Sequence, residues 1–168
     1  RDNRLNPIHE GTEGIHGLDL MGRKLSQRGG KGYRLFLAAA RASIAEAGTS
    51  KQCAGMAAAL NDAVGILDQV SSDLLQQVAA DVDLGLANAT AYLDLFGRVV
   101  VGWIWLRQAL VAERALEAGA EGSEADFYQG KLHAARYFMD WELASLACQA
   151  RLLSTGNRLT YDMQDAWF

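Results

Sequence analysis

Apolar residues recur along most of this chain at the spacing of amphipathic α-helices rather than in the strict alternation of β-strands. A typical case is the second predicted helix, in which Tyr33, Phe36, Leu37 and Ile44 fall on one face. Pro7 is the only proline and alanine is frequent after it, which favours long helices. The pattern therefore predicts an all-α protein.

The pattern divides the chain into about five helices joined by short loops, which favours an antiparallel bundle. The first helix is predicted to begin at Thr12 and to end where Gln27-Arg28-Gly29-Gly30 interrupts the pattern. Thr49 or Ser50 can cap the third helix. The stripe that we expect the first helix to bury consists of Ile15, Leu18, Gly22 and Leu25.

The fifth predicted helix starts after the turn at Gly119-Ala120-Glu121-Gly122 and ends near Thr155-Gly156-Asn157. Ser123 and Asp126 at its start resemble a capping box. Along the helix, the predicted apolar stripe consists of Phe127, Ala134, Phe138 and Trp141.

The longest apolar run is Val99-Val100-Val101-Gly102-Trp103-Ile104-Trp105-Leu106, which Arg98 and Arg107 enclose. It is far shorter than the roughly 20 residues that a transmembrane helix needs. A helix that is apolar on all sides for two turns usually lies in the middle of a bundle or at a subunit contact. We therefore expect a buried helix, with its tryptophans packed within the domain.

Composition narrows the class of protein. The formal net charge of −4 gives no support for nucleic-acid binding, and Cys53 and Cys148 form neither a disulfide framework nor a metal knuckle. We expect a cytoplasmic protein, because the start of the chain lacks the apolar segment of a signal peptide. The first residue is Arg1 rather than methionine, so we expect the chain to belong to a longer protein.

Motifs of several enzyme and metal-binding classes are missing from the sequence. The three histidines lack the helical spacing of a metal site, which weakens the hypothesis of a metal-binding or ligand-storing bundle. Gly29-Gly30-Lys31-Gly32 follows no strand, so it does not form a phosphate-binding loop. From these motifs alone, a stand-alone helical interaction or oligomerisation module fits as well as any enzyme.

One motif near the start of the chain points to a reaction. Ile8-His9-Glu10-Gly11-Thr12 closely resembles the Ile-Tyr-Glu-Gly-Thr loop of acyl-CoA dehydrogenases, with His9 where the family usually has tyrosine. The match continues on both sides of this loop. The later segments resemble the extra C-terminal helical domain of a bacterial branch, and their residues are Gly102-Trp103, Leu106-Arg107, Phe127-Tyr128, Gly130-Lys131-Leu132 and Ala135-Arg136.

The resemblance implies an FAD-dependent removal of two hydrogens from an acyl-CoA. In the family, a glutamate removes the pro-R α-proton while a β-hydride passes to N5 of FAD, and the product is a trans-2-enoyl-CoA. It implies that Glu10 is the base and that its amide N–H donates to the thioester oxygen. It also implies that Gly11 lies against the substrate and Thr12 against FAD.

The same resemblance implies how the chain is organised and what it meets. Residues 1–28 correspond to the end of the catalytic helical domain, and residues 29–168 to the appended bundle. The bundle serves oligomerisation or covers the mouth of the substrate site, and the chain alone is expected to be inactive. The implied partners are an acyl-CoA substrate, an electron-transfer flavoprotein or similar acceptor, and further copies in a homo-oligomer.

Overall fold

The computed structural model describes residues 11–167, which form helices and connecting turns and contain no strand within that range. The predicted all-α bundle is confirmed. The seven α-helices are α1 (Glu13–Asp19), α2 (Gln27–Ala47), α3 (Ala54–Ala80), α4 (Val82–Leu86), α5 (Ala89–Glu117), α6 (Gly122–Tyr137) and α7 (Leu146–Ser154).

Helix α5 is the central helix and contacts α1, α2, α3, α6 and α7. It contains the predicted apolar run, and the expectation of a buried helix is met on one side of it only: Val99 and Leu106 are buried, whereas Val101 and Ile104 are 41% and 43% exposed. By length and composition alone it could cross a membrane, but core helices pass the same test. Trp103 packs within the bundle, with its ring centroid 5.7 Å from that of Phe36. The largest fully buried side chains include Leu60, Leu67, Tyr92, Leu95, Val99 and Leu106.

The predicted interruption after the first helix is confirmed. Arg28, Gly29 and Gly30 have φ angles of 52°, 63° and 77°, so the chain turns through the left-handed region before α2 continues. Two of these three positions are glycines, which adopt such angles without the steric cost of a Cβ. The turn separates α1 and its π-helical continuation, Leu20–Lys24, from the rest of the bundle.

The predicted buried stripe of the first helix is confirmed at Leu25, which is 3% exposed, and is wrong at its other positions. Ile15 and Leu18 are 68% and 47% exposed and Gly22 is exposed, whereas Gly17 and Met21 are buried together with Leu25. The buried residues follow one another at intervals of four, so they also lie along one face of a helix. Periodicity alone did not distinguish the two faces, because each of them carries apolar residues.

The predicted fifth helix forms, but it is divided. A π-helical turn, Phe138–Glu142, and a 3₁₀ turn, Leu143–Ser145, separate α6 from α7. The predicted capping box is wrong, because Glu121 occupies the N-cap position and no side chain there accepts a capping hydrogen bond. The predicted stripe is also not the core face: Phe127 and Trp141 are 59% and 70% exposed. The buried residues are Leu132, Ala135, Met139, Leu143, Leu146 and Leu153.

Candidate functional site

The structure describes two of the three residues predicted for the catalytic loop. Glu10 lies outside the described residues, while Gly11 and Thr12 are both exposed. Thr12 occupies the N-cap position of α1, where its carbonyl oxygen accepts a hydrogen bond from the amide of His16 at 2.9 Å. Its hydroxyl makes no capping hydrogen bond to the described residues, so it stays exposed to a ligand.

Gly11 lies close to the first turn of α1. A Cβ atom at this position would stand 2.4 Å from the carboxyl group of Glu13. The Glu13 side chain is exposed and could rotate away, so packing against the described residues does not require glycine.

Helix α1 is held firmly against the start of α5. A Cβ atom on Gly17 would lie 2.7 Å from the carbonyl oxygen of Ala89, so only glycine permits this approach. One and two turns further on, Met21 and Leu25 are 1% and 3% exposed and anchor the segment in the core. These contacts fix the position of α1, which has Thr12 at its N-cap.

The other face of α1 is exposed. It carries Gly14, Ile15 and Leu18. At its edge, Asp19 pairs with Arg23 at 2.6 Å and with Lys24 at 3.0 Å, and these hydrogen bonds lower the pKa of Asp19 to about 2. Thr12 therefore adjoins an apolar surface that residues 11–167 do not cover.

The structure also contains a buried carboxylate that the sequence analysis missed. Glu113 in α5 is 5% exposed and accepts hydrogen bonds from the Ser50 hydroxyl and, at 3.0 Å, from the amide of Gln52. Burial alone would raise the pKa of Glu113, but these hydrogen bonds outweigh it and hold the pKa below its usual value. Ser50 in turn accepts from the amide of Cys53 at 2.7 Å, in the turn that precedes α3. The N-cap position of α3 is occupied by Cys53 rather than by Thr49 or Ser50, and no side chain makes a capping hydrogen bond there, so the predicted cap is wrong. The cluster closes the N-terminal end of α3 and opens onto no described cavity.

A second buried polar cluster joins α2, α3 and α5. The Tyr92 and Ser71 hydroxyl oxygens are 2.7 Å apart, and Ser71 donates to the carbonyl oxygen of Leu67, so Tyr92 is the donor to Ser71. The Tyr33 hydroxyl donates to Asp68 at 3.1 Å. Burial raises the pKa of Tyr92 to about 12, so its hydroxyl stays protonated near neutral pH. Both clusters depend on which helices meet, and no sequence spacing indicates them.

Comparison with known proteins assigns the chain to a family. The family model described as "Acetyl-CoA dehydrogenase C-terminal like" matches residues 36–164, which cover most of the bundle. This chain belongs to the acyl-CoA dehydrogenase family. The resemblance inferred from the loop and from the later helical segments is thereby confirmed.

Curated members of the acyl-CoA dehydrogenase family match over nearly the whole chain. The 3-methylmercaptopropionyl-CoA dehydrogenase of Ruegeria pomeroyi is 32% identical over 95% of this chain and 27% of its own length. A broad-specificity linear acyl-CoA dehydrogenase of Mycobacterium tuberculosis is 30% identical over 100% of this chain and 28% of its own length. A butyryl-CoA dehydrogenase of Syntrophomonas wolfei is 27% identical over 83% of the chain. The chain thus spans only about a quarter of the length of the relatives that it matches most extensively.

Proposed function

We propose that this chain is the C-terminal part of an FAD-dependent acyl-CoA dehydrogenase that converts an acyl-CoA to a trans-2-enoyl-CoA. The observation that carries the proposal is the position of the loop. The family's loop motif comes directly before a helix that is anchored on one side and carries an uncovered apolar face on the other. That arrangement suits a segment that completes a larger catalytic body.

In this proposal, Glu10 is the base that accepts the α-proton of the thioester. A carboxylate with a pKa near ~4.3 is a weak base for a carbon acid, so its site must exclude water when the substrate is bound. The amide of Glu10 donates a hydrogen bond to the thioester oxygen, where negative charge develops as the proton leaves. Gly11 lets this stretch of backbone come close to the substrate.

The described residues fit one edge of a flavin site. The Thr12 hydroxyl is exposed and makes no capping bond within the described residues, so it can face the cofactor. FAD supplies the acceptor for the β-hydride. Gly11 and Thr12 do not enclose a ligand by themselves, which supports the proposal that this chain alone is inactive.

The domain division is proposed to lie where the sequence analysis puts it, with residues 1–28 completing the catalytic domain and residues 29–168 forming the bundle. The left-handed turn at Arg28, Gly29 and Gly30 supports a boundary there, as does the start of the family match at residue 36. The uncovered face of α1 is then the surface that the rest of the catalytic domain covers. The proposed partners remain an acyl-CoA, an electron-transfer flavoprotein or similar acceptor, and further copies of the protein.

The test uses the reading frame that contains this chain together with its upstream sequence. The purified protein is mixed anaerobically with a panel of acyl-CoA thioesters, and the loss of oxidised flavin absorbance is followed. We expect rapid bleaching in the wild type and almost none in Glu10→Gln that is folded and loaded with flavin. Glu13→Gln is the matched control, because Glu13 is an exposed carboxylate in the next turn of the chain.

Each result decides between named functions. Bleaching that Glu10→Gln abolishes and Glu13→Gln preserves supports both the reaction and the base. If Glu10→Gln bleaches at the wild-type rate, another residue is the base. If the longer protein binds no flavin, the dehydrogenase proposal fails and the helical interaction module replaces it. That second candidate is supported by Trp141, which is 70% exposed on the surface of the bundle.

A further inference from the structure

A groove on the surface of the bundle lies between α5 and α6 and shares no residue with the proposed catalytic loop. Its volume is about 470 Å³, within the range typical of small-molecule sites. Its walls are largely apolar, with Ile104, Val111 and Phe127 being 43%, 58% and 59% exposed. Exposed apolar side chains that line a concave surface are suited to covering an apolar ligand.

The charged side chains that line the groove are both positive. Lys131 and Arg107 both line it, and no acidic side chain does. Across residues 11–167, no carboxylate lies within 4 Å of either cation. This concentration of positive charge occurs in a chain whose formal net charge is −4. The groove is therefore positively charged, whereas the chain as a whole carries a net negative charge.

Lys131 is held in place by neutral groups. Its ammonium nitrogen lies 5.4 Å from the ring centroid of Trp105 and 5.5 Å from that of Phe127, and it donates to the side-chain oxygen of Gln108 at 3.1 Å. Paired aromatic faces of this kind can bind a cationic ligand. Here the chain's own lysine occupies the position, so a second cation would be repelled and an anion attracted.

Arg107 is also positioned in advance. Its guanidinium carbon lies 5.2 Å from the ring centroid of Trp103, and the indole N–H of Trp103 donates to the Ser43 hydroxyl at 2.9 Å. Because both cations rest on aromatic rings fixed by the fold, a ligand that bound them would immobilise few additional side chains. Preorganised cations beside an apolar wall favour a ligand with an anionic head and an apolar tail.

We propose that the groove between α5 and α6 binds a small alkyl carboxylate. Its carboxylate pairs with Lys131 and Arg107, and its alkyl chain lies against Ile104, Val111 and Phe127. The site is separate from the proposed catalytic loop, so it stands or fails independently of the dehydrogenase reaction.

The test titrates decanoate into the full 168-residue chain and measures binding by isothermal titration calorimetry. Amide chemical-shift changes then show whether the residues around Val111 and Lys131 respond. Decanol and decyltrimethylammonium have the same alkyl chain with a neutral or a cationic head. We expect one saturable decanoate site, with decanol weaker by about tenfold, or about 1.4 kcal/mol, and with no binding of the cationic compound.

Variants test the role of the cation. Lys131→Gln is expected to weaken decanoate binding about tenfold, whereas Lys131→Arg, which keeps the charge, stays close to wild type. Lys51→Gln is the matched control, because Lys51 is an exposed lysine that does not line the groove. Val111→Glu introduces a carboxylate at the apolar wall and should abolish binding. Circular dichroism checks that each variant keeps its helical content.

Three results would overturn the proposal. Equal affinity for decanol and decanoate would show that the cations play no part. Unchanged decanoate binding by folded Lys131→Gln would show that the ligand lies elsewhere. Absence of decanoate binding by a chain that sediments as a dimer would assign the groove to a second copy instead.

Discussion

Replacing Glu113 with glutamine removes the one charge that the described bundle buries almost completely. The carboxylate accepts from the Ser50 hydroxyl and the Gln52 amide, and it lies at the N-terminal end of α3, where the helix dipole favours a negative charge. A glutamine keeps the size of the side chain and one acceptor oxygen, but loses the charge and one acceptor. Hydrogen bonds to charged groups contribute about 1.5–3 kcal/mol each, so we expect Glu113→Gln to cost about 2 kcal/mol.

The effect of Glu113→Gln on stability should depend on pH, and the pKa of Glu113 gives the direction of that dependence. The pKa of Glu113 is lowered in the folded protein, so its stabilising effect is present above the pKa of the unfolded chain, near ~4.3, and is lost as the pH falls through the folded pKa. Wild type and Glu113→Gln should therefore differ most at neutral pH. The difference should disappear in acid, when the wild-type side chain also becomes neutral.

The assay is urea denaturation followed by circular dichroism at pH 7 and at several lower pH values. In a thermal unfolding experiment, the same loss of about 2 kcal/mol would lower the Tm by roughly 4–8 °C for a chain of this size. Glu117→Gln is the control, one turn further along α5, where the side chain is exposed; we expect a change below about 0.5 kcal/mol. Equal stability of Glu113→Gln and wild type at pH 7 would refute the reasoning, as would a difference that persists in acid.

Three further substitutions test how the bundle is held together. Gly17→Ala should destabilise the docking of α1 by about 1–3 kcal/mol, because its Cβ would meet the backbone of Ala89. Gly14→Ala is the control: its Cβ meets none of the described residues, so it should stabilise the helix by up to about 1 kcal/mol. Thermal unfolding and hydrogen exchange in α1 measure both effects. Tyr92→Phe should cost about 1 kcal/mol, because Ser71 loses its donor but keeps its own bond to the backbone. Since the pKa of Tyr92 is raised to about 12 by burial, wild-type stability should fall as the pH rises above ~10, and the fall should be smaller in Tyr92→Phe.

The presence of helices and the positions at which they break were predictable from the sequence, because both depend on local chemistry. The run Gln27-Arg28-Gly29-Gly30 interrupts a helix for a reason contained in the residues themselves, and the structure shows left-handed φ angles there. The packing of one side of α5 into the core followed from its apolar run, whereas the exposure of Val101 and Ile104 on the other side did not. Ser50 was wrongly predicted as a cap, and its link to Glu113 was not predicted, because the partner lies 63 residues away.

Helix faces were not predictable in the same way, and the errors share a physical cause. In α1 the predicted stripe contains Ile15 and Leu18, yet the buried face contains Gly17, where the absence of a side chain allows close packing. Within α1, the hydrophobicity pattern gave weight to Ile15 and Leu18 and none to Gly17, so it selected the face that the described residues leave exposed. The same bias placed Phe127 and Trp141 in the core of the last predicted helix, where smaller residues such as Ala135 are buried instead. Large apolar residues outside the core thus mark surfaces that another molecule, or another part of the same protein, is expected to cover. For α1 that surface adjoins the proposed catalytic loop, and for α6 it includes a wall of the groove proposed to bind a carboxylate.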